Sequence, residues 1–409
     1  MPSQASNELK RSLSLPLITF YGIGTILGAG IYVLVGKVAG YAGMYTLLSF
    51  LLASVLAGFS AFSYAELSVR MPKSAGEAVY IEHGFRRRSL AVLVGVLVVL
   101  VGVISTATLT HGFAGYLAVF VDWPAVWVII TVIVLMVAIV VWGIGQSVWL
   151  ATVMTVAEII GLLIILWVAR DSFAQLPVRS SELWPAWDAA IWSGVLLGAF
   201  VAFYAFIGFE DIVNVAEEVR HAERNLPRAI IIALLVTTLF YVLIAMVSIL
   251  AISPAQLADS DAPLAMLYQH LTGQPATVIT IISLASVLNG ALIQIIMASR
   301  VLYGMGKQAW LPTCLASVNG VTHTPVIATL LVGGLILLFA IALPLLSLAK
   351  LTSFITLIIF SLINAALWRI KCRDGSEGIQ FTVPLWVPVC GFVSSFIFLI
   401  FQFVYFVKG

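Results

Sequence analysis

Apolar runs of roughly twenty residues follow one another along almost the entire chain, separated by short polar breaks. Runs of that length, coiled as α-helix, match the hydrocarbon thickness of a bilayer. They lie near residues 15–38, 44–69, 89–121, 125–142, 147–169, 191–216, 228–252, 275–303, 325–345, 350–369 and 385–407, which predicts eleven transmembrane helices. The third run is long enough for strong tilt or an extension beyond the bilayer. Longer connections are expected only at 70–88, 170–190, 253–274 and 304–324.

Two of these runs are interrupted. The first carries Gly22-Ile23-Gly24 and Gly28-Ala29-Gly30 in its middle, and the sixth carries Tyr204-Ala205-Phe206-Ile207-Gly208-Phe209-Glu210-Asp211. Glycine costs about 1 kcal/mol against alanine inside a helix, so such clusters favour local unwinding. Broken helices in matching places of two halves point to a secondary transporter with its site at mid-bilayer. If runs 1–5 and 6–10 form the halves, five helices per half force opposite topologies, and each half begins with its broken helix. The eleventh is then an accessory. The expected division is 1–14 N-terminal tail, 15–170 first repeat, 171–370 second repeat and 371–409 accessory segment.

Charge placement orients the chain. With the N-terminus inside, the cytoplasmic ends hold clusters such as Arg86-Arg87-Arg88 and Arg220, Arg224 and Arg228. The opposite side holds only Lys37, Arg170, Arg179, Lys350 and Lys408. The positive-inside rule therefore puts the N-terminus in the cytoplasm and, with an odd helix count, the C-terminus outside. The first run is longer than a signal-peptide core and lacks a small-residue cleavage site, so it is expected to stay as the first span.

Composition excludes the other classes. The chain has 409 residues, 62% hydrophobic and 9% charged, with mean hydropathy +1.13. Soluble domains carry about 25% charge. The net charge of +2 is spread without a basic nucleic-acid face. Cys314, Cys372 and Cys390 match no zinc or redox spacing and are read as bystanders. No nucleophile–base set, metal cluster or phosphate loop supports an enzyme, and Gly22-x-Gly24-x-x-x-Gly28 has the wrong spacing for a dinucleotide fold. No cofactor is expected.

A helix end inside the membrane offers free N–H groups and a positive dipole end to a carboxylate. The second half of the first span starts at Gly28-Ala29-Gly30, while the first half ends at Thr25 and Ile26, whose carbonyls suit an ammonium. One break thus fits a zwitterion. Glycines serving only close helix packing are the plainer reading, outweighed here by the second break. There, Tyr204 is placed to close over a substrate and the Ile207 carbonyl, beside Gly208, to accept from its ammonium. The other aromatics around it are read as packing bulk.

Glu158 lies deep in the fifth span with no basic residue near it in sequence. Charge at that depth costs several kcal/mol, so the side chain must be protonated, paired or solvated. Proton or cation coupling is the functional reading, with a structural hydrogen bond as the alternative. Glu210 is expected to gate or relay protons, and Asp211 to cap the reformed helix. Glu66 is expected to pair with Arg or Lys, and the Glu217-to-Arg228 segment to be a solvated inner loop. Ser105, Thr108, Ser283, Ser286, Asn289 and Ser353 are candidate pocket-lining residues, and His111 is read as a packed histidine. None of their spans supplies an acid for a cationic side chain, which favours neutral substrates.

Several motifs together resemble the amino acid–polyamine–organocation (APC) transporters, within them the cationic-amino-acid-transporter-like bacterial permeases. Gly22 to Tyr32 is similar to the family's first-span motif, and Ser63-Tyr64-Ala65-Glu66-Leu67 with Met71-Pro72 to its second-span ending. Phe203 to Glu210, Glu217-Glu218-Val219, Asn225 to Ala229, and Ala298 to Met305 with Leu311-Pro312 continue the resemblance over nearly the whole chain. It implies the five-plus-five inverted repeat of the LeuT-like fold and alternating access. It also implies a carboxylate on the amides of Gly28, Ala29 and Gly30 and an ammonium on the carbonyls of Ile26, Tyr204 and Ile207. Three departures stand out. Many relatives have twelve or more spans. The loop after the second span reads Ser74-Ala75-Gly76-Glu77-Ala78-Val79-Tyr80, where a paired glycine is usual. Glu158 stands where several relatives carry a lysine in place of a sodium ion, so it either titrates or recruits a cation near Ser286. The resulting expectation is an inner- or plasma-membrane permease for small or neutral amino acids, driven by a proton gradient, with sodium as the other coupling ion. An amino acid or amine exchanger is the alternative, and a non-transporting sensor or assembly subunit a more distant one. The partners expected are the amino acid and the lipid bilayer, with no nucleic acid and no oligomeric state implied.

Overall fold

A computed structural model describes residues 11–117, 120–121, 123–260, 262–343 and 345–408. Lys10 and the rest of the expected tail before Arg11 lie outside the described residues, as do the side chains of Ala29, Lys350, Ser353 and Lys408. The chain is a bundle of helices: α1 Leu15–Ala42, α2 Thr46–Arg70, α3 Gly76–Phe85, α4 Arg88–Leu117, α5 Ala125–Trp142 and α6 Ile144–Val168. Then come α7 Leu176–Arg179, α8 Ala189–Ala205, α9 Ala222–Ala251, α10 Pro254–Asp259, α11 Pro263–Thr272 and α12 Thr277–Lys307. The last are α13 Val326–Ala342, α14 Leu345–Asp374 and α15 Trp386–Lys408.

Nine helical stretches among the described residues are long and apolar enough to cross a membrane, so this is an integral membrane protein. Two shorter apolar helices, Val326–Ala342 and Trp386–Phe401, stand where the ninth and eleventh spans were expected. Length and composition alone thus account for nine spans among the described residues, and the two shorter helices fall at the remaining expected positions. The shortfall at α13 is local: it follows Pro325 and leaves helical geometry at Leu343 (φ −124°, ψ 142°) after 17 residues. The third span ends at Leu117, short of the expected 121.

Helix boundaries follow ordinary capping chemistry. Pro16 sits in the first turn of α1, where a missing N–H costs nothing. The Asp188 carboxylate caps α8, accepting from Ala190 N at 2.8 Å and Ile191 N at 3.1 Å. The outside of the bundle is apolar, with Trp127, Trp142, Trp149 and Trp167 exposed as lipid-facing side chains are. The inside inverts a soluble core: Glu66, Glu158, Glu218, Asn289 and Arg300 are buried there with partners.

At the centre runs α1, packed against α6, α8, α9 and α12. After α8 the chain unwinds over Phe206, Ile207 and Gly208 and re-forms as a buried 310 helix, Phe209–Glu218. At the end of the bundle that carries most of the Lys and Arg, the chain is stitched shut. Leu13 forms a parallel bridge with Val219, through Leu13 N to Glu218 O (3.0 Å) and Arg220 N to Leu13 O (2.8 Å).

Candidate functional site

The two interruptions are real and they touch. Gly28 leaves helical geometry (φ 17°, ψ −143°), splitting α1. A Cβ at Gly28 would meet nothing within 4 Å, so this glycine is not there for packing. Gly24 and Gly30 are different, because a Cβ would run into Asn289 or Ala205 respectively. Both readings of the glycine cluster thus hold, at different positions. Gly208 adopts φ 131°, where side chains are strained. Its Cβ position lies 2.7 Å from Thr25 Cγ2 and 3.0 Å from the Thr25 carbonyl carbon. The break of the sixth span therefore rests on the end of the first half of α1.

Two side chains from other helices hold the opened backbone. Ser286 Oγ on α12 donates to the Gly28 carbonyl at 2.6 Å. The Tyr241 hydroxyl on α9 reaches two carbonyls, Ile26 O through a short contact and Ala205 O at 2.8 Å, and so ties one break to the other. The Ile26 carbonyl is consequently engaged, not free as expected, although a carbonyl oxygen has a second lone pair for another donor. The Tyr204 carbonyl also accepts within the chain, from Ile207 N at 3.2 Å. The Tyr204 ring is half-buried, with its hydroxyl facing Ser105 of α4.

Glu158 is fully buried on α6. Asn289 Nδ2 on α12 lies 2.9 Å from its Oε1 and 2.9 Å from Thr155 Oγ1. The backbone carbonyl of Glu158 accepts from the Tyr32 hydroxyl at 2.9 Å. Glu158 Oε2 and Asn289 Oδ1 are buried acceptors with no donor. Ser286 serves both centres, bonded to Gly28 O and facing the Glu158 carboxyl. The expected groups thus converge: Gly28, Ile26 and Glu158 are linked through Ser286, Asn289 and Tyr241.

Other expectations need correction. Glu210, rather than Asp211, binds the break, its Oε2 accepting from Gly208 N at 2.8 Å. Asp211 Oδ2 instead accepts from Gln294 Nε2 at 2.6 Å. The Glu217-to-Arg228 segment is not a solvated loop throughout. Glu218 is buried and paired with buried Arg300 at 3.3 Å, and α9 has already begun at Ala222. Ser283 and Thr108 bond their own helix carbonyls, at 2.9 Å each, and line nothing by that contact. As expected, Glu66 pairs with Arg70 (2.6 Å) and Lys371 (2.9 Å), and His111 bonds the Ala340 carbonyl at 2.7 Å. Sequence reasoning missed Tyr241, Gln294 and the Arg300–Glu218 pair. A cleft of about 460 Å³ lies at the basic end, lined by Arg11, Glu217, His221, Glu223 and Arg224, apart from the breaks.

Two apposed helix breaks inside an apolar bundle, with a buried acid beside them, define the membrane transporter class. The comparisons agree. The amino acid permease family model matches residues 13–408, and the chain belongs to that family. It is therefore a transporter-family protein and not an enzyme. It is similar to the branched-chain amino acid permease BcaP of Bacillus subtilis, 29% identical over 95% of this chain and 86% of that protein. It is also similar to the vacuolar cationic amino acid transporter 2 of Arabidopsis thaliana, at 29% over 87% of this chain. The chain spans 59% of that plant protein's length, and 63% of the mitochondrial cationic amino acid transporter 3. Among solved structures, a substrate-bound, outward-open Na+-coupled sialic acid symporter shares the fold. Its TM-score is 0.64 at 14% identity, over 98% of this chain and 93% of that one.

Proposed function

We propose that this chain is a secondary active transporter that moves small or neutral amino acids across a cell membrane by alternating access, coupled to protons. The observation that carries the reading is the apposition of the two breaks at Gly28 and Gly208. It sets the amides that begin the second half of α1 near the carbonyls that end the first half and α8. The substrate carboxylate would sit on the amides of Gly28, Ala29 and Gly30. Its ammonium would sit on the second lone pair of Ile26 O and on Ile207 O, with Tyr204 over the site. The printed names of the bacterial and plant relatives support an amino acid as substrate.

Glu158 supports the coupling assignment. Two buried acceptors on hydrogen-bonded residues, Glu158 Oε2 and Asn289 Oδ1, lack a donor. A proton on Oε2 supplies one directly, and carboxyls at such depth are functional by default. Sodium on the same acceptors is the other outcome. Residues 15–170 and 171–370 form the two inverted repeats in this reading, with α15 as accessory. The Lys- and Arg-rich end faces the cytoplasm.

Competition in proteoliposomes tests the substrate assignment. Uptake of a labelled neutral amino acid is expected to be blocked by other neutral amino acids and spared by amines lacking the carboxylate, which leave the α1 amides unpaired. Equal inhibition by the carboxyl-less amines would overturn it and favour an amine exchanger.

A further inference from the structure

Towards the basic end from the breaks, three buried carboxyls converge. Glu77 comes from the first turn of α3, and Glu210 and Asp211 from the 310 helix. Two of them are held, by Gly208 N and by Gln294. Both oxygens of Glu77 are buried without a hydrogen-bond partner. So are the Tyr64 and Tyr80 hydroxyls and Asn214 Nδ2. Each of these faces the acids: Tyr64 lies within electrostatic reach of Glu77, Glu210 and Asp211, and Tyr80 of Glu77. Asn214 accepts from Gly76 N at 3.1 Å through Oδ1 and turns its other end towards Glu77.

Among the described residues, no cation pairs with this group. Arg300 on α12 is engaged by Glu218 and Ser299. Helices α4 and α14 also pack on α3, but among the described residues neither brings a charge to bear on Glu77. The His83–Asp374 pair sits at the exposed far end of α3. Three carboxylates cannot all be charged in so dry a place, since like charges there disfavour each other's ionisation. A protonated Glu77 has an O–H to give to a neighbouring acceptor. An ionised one is an unpaired buried charge, strongly destabilising in the packed arrangement.

We propose that Glu77 is the proton-binding latch of the gate at this end, seating α3 against the 310 helix when protonated and releasing it when its proton passes to water at the basic face. The latch rests on the alternating-access reading but not on which ion drives transport. Burial pushes the Glu77 carboxyl up to about 8, and the neighbouring Glu210 adds to the rise, while its own backbone amide and Asn214 oppose it. Such a latch works in the range of ordinary cytoplasmic pH.

Counterflow in proteoliposomes at equal pH on both sides needs no gradient, and the comparison of wild type with Glu77→Gln isolates the latch from other titrating groups. A group titrating near 8 is about 3% charged at pH 6.5 and about 90% at pH 9. Wild-type exchange is therefore expected to rise roughly five-fold or more over that interval. Glu77→Gln, which keeps the shape and cannot ionise, is expected to be flat. A Glu77→Gln variant that reproduces the wild-type rise would overturn the latch. Should that variant misfold, infrared difference spectra of the wild type decide: a protonated-carboxyl band lost between pH 7 and 9 is expected, and a band unchanged over that range contradicts the proposal. Failure of gradient-driven accumulation in the wild type would remove the proton-coupling reading while leaving the counterflow result standing.

Discussion

Asn289 donates to Glu158 across 2.9 Å in the middle of the bundle, joining α12 to α6 beside the break in α1. The same amide nitrogen lies 2.9 Å from Thr155 Oγ1, so its two protons fix the side chain's orientation. What this leaves is a buried carboxyl with one satisfied oxygen, one step from Ser286 and the Gly28 carbonyl. Substituting Glu158→Gln keeps the shape and removes the proton-carrying group. Accumulation driven by a proton gradient is expected to fall at least tenfold, roughly the effect of losing one charge-assisted contact. Counterflow of the same substrate should survive. Full gradient-driven accumulation by the variant would remove Glu158 from coupling.

Tyr241 spans the two breaks with one hydroxyl, while its ring packs against Phe206 (centroids 5.0 Å) and Phe50 (5.7 Å). Tyr241→Phe keeps the ring and removes the single O–H proton that the two buried carbonyls share. The expected cost is about 1–3 kcal/mol of stability. It should appear as a lower melting temperature in detergent and a reduced uptake rate. Wild-type values for both would mean that the hydroxyl holds neither carbonyl.

Gly208 and Gly28 separate two roles of glycine. Alanine at 208 meets both a strained φ of 131° and the Thr25 backbone, whereas alanine at 28 enters open space. Gly208→Ala is expected to lose nearly all uptake and Gly28→Ala to keep a measurable fraction. Uptake assays with expression-matched protein check the order, and a reversal would contradict the geometry.

Acidity at Glu77 predicts the sign of a stability profile. The carboxyl sits at about 8 when folded against 4.5 for an unperturbed glutamate, so the native state binds the extra proton between those values. The stabilisation is fully present below about 4.5 and is lost as pH rises to about 8, amounting to a few kcal/mol at most. Melting should therefore fall more steeply with pH in the wild type than in Glu77→Gln. Parallel profiles would show that Glu77 ionises normally.

The buried Arg300–Glu218 pair closes the basic end together with the Leu13–Val219 bridge. Arg300→Gln leaves Glu218 buried without its cation, a loss on the order of 3–5 kcal/mol. Removing both, as Arg300→Gln with Glu218→Gln, should recover part of it. Chemical or thermal unfolding of the single and double variants measures the coupling. Strict additivity would mean the pair does not interact.

What could be read from the chain alone, and what could not, has a physical basis. The breaks were legible because glycine clusters in an apolar run have no use other than unwinding or close contact. The buried acid at 158 was legible because charge in such a run is costly. Tyr241 was not, since one tyrosine in a long apolar helix is indistinguishable from packing bulk until its hydroxyl is placed. Glu218 and Arg300 lie 82 positions apart, so Glu218 looked like one more charge in a polar loop. Glu77 did not stand out within a loop that departs from the usual paired glycine, because its buried neighbours come from other elements.

The most direct test of proton-coupled amino acid transport is accumulation of a labelled neutral amino acid in sodium-free proteoliposomes under an imposed inward proton gradient. The expected result is uphill uptake that collapses when a protonophore is added and is missing in Glu158→Gln. Uptake that ignores the proton gradient and requires either sodium or preloaded amino acid inside would contradict it.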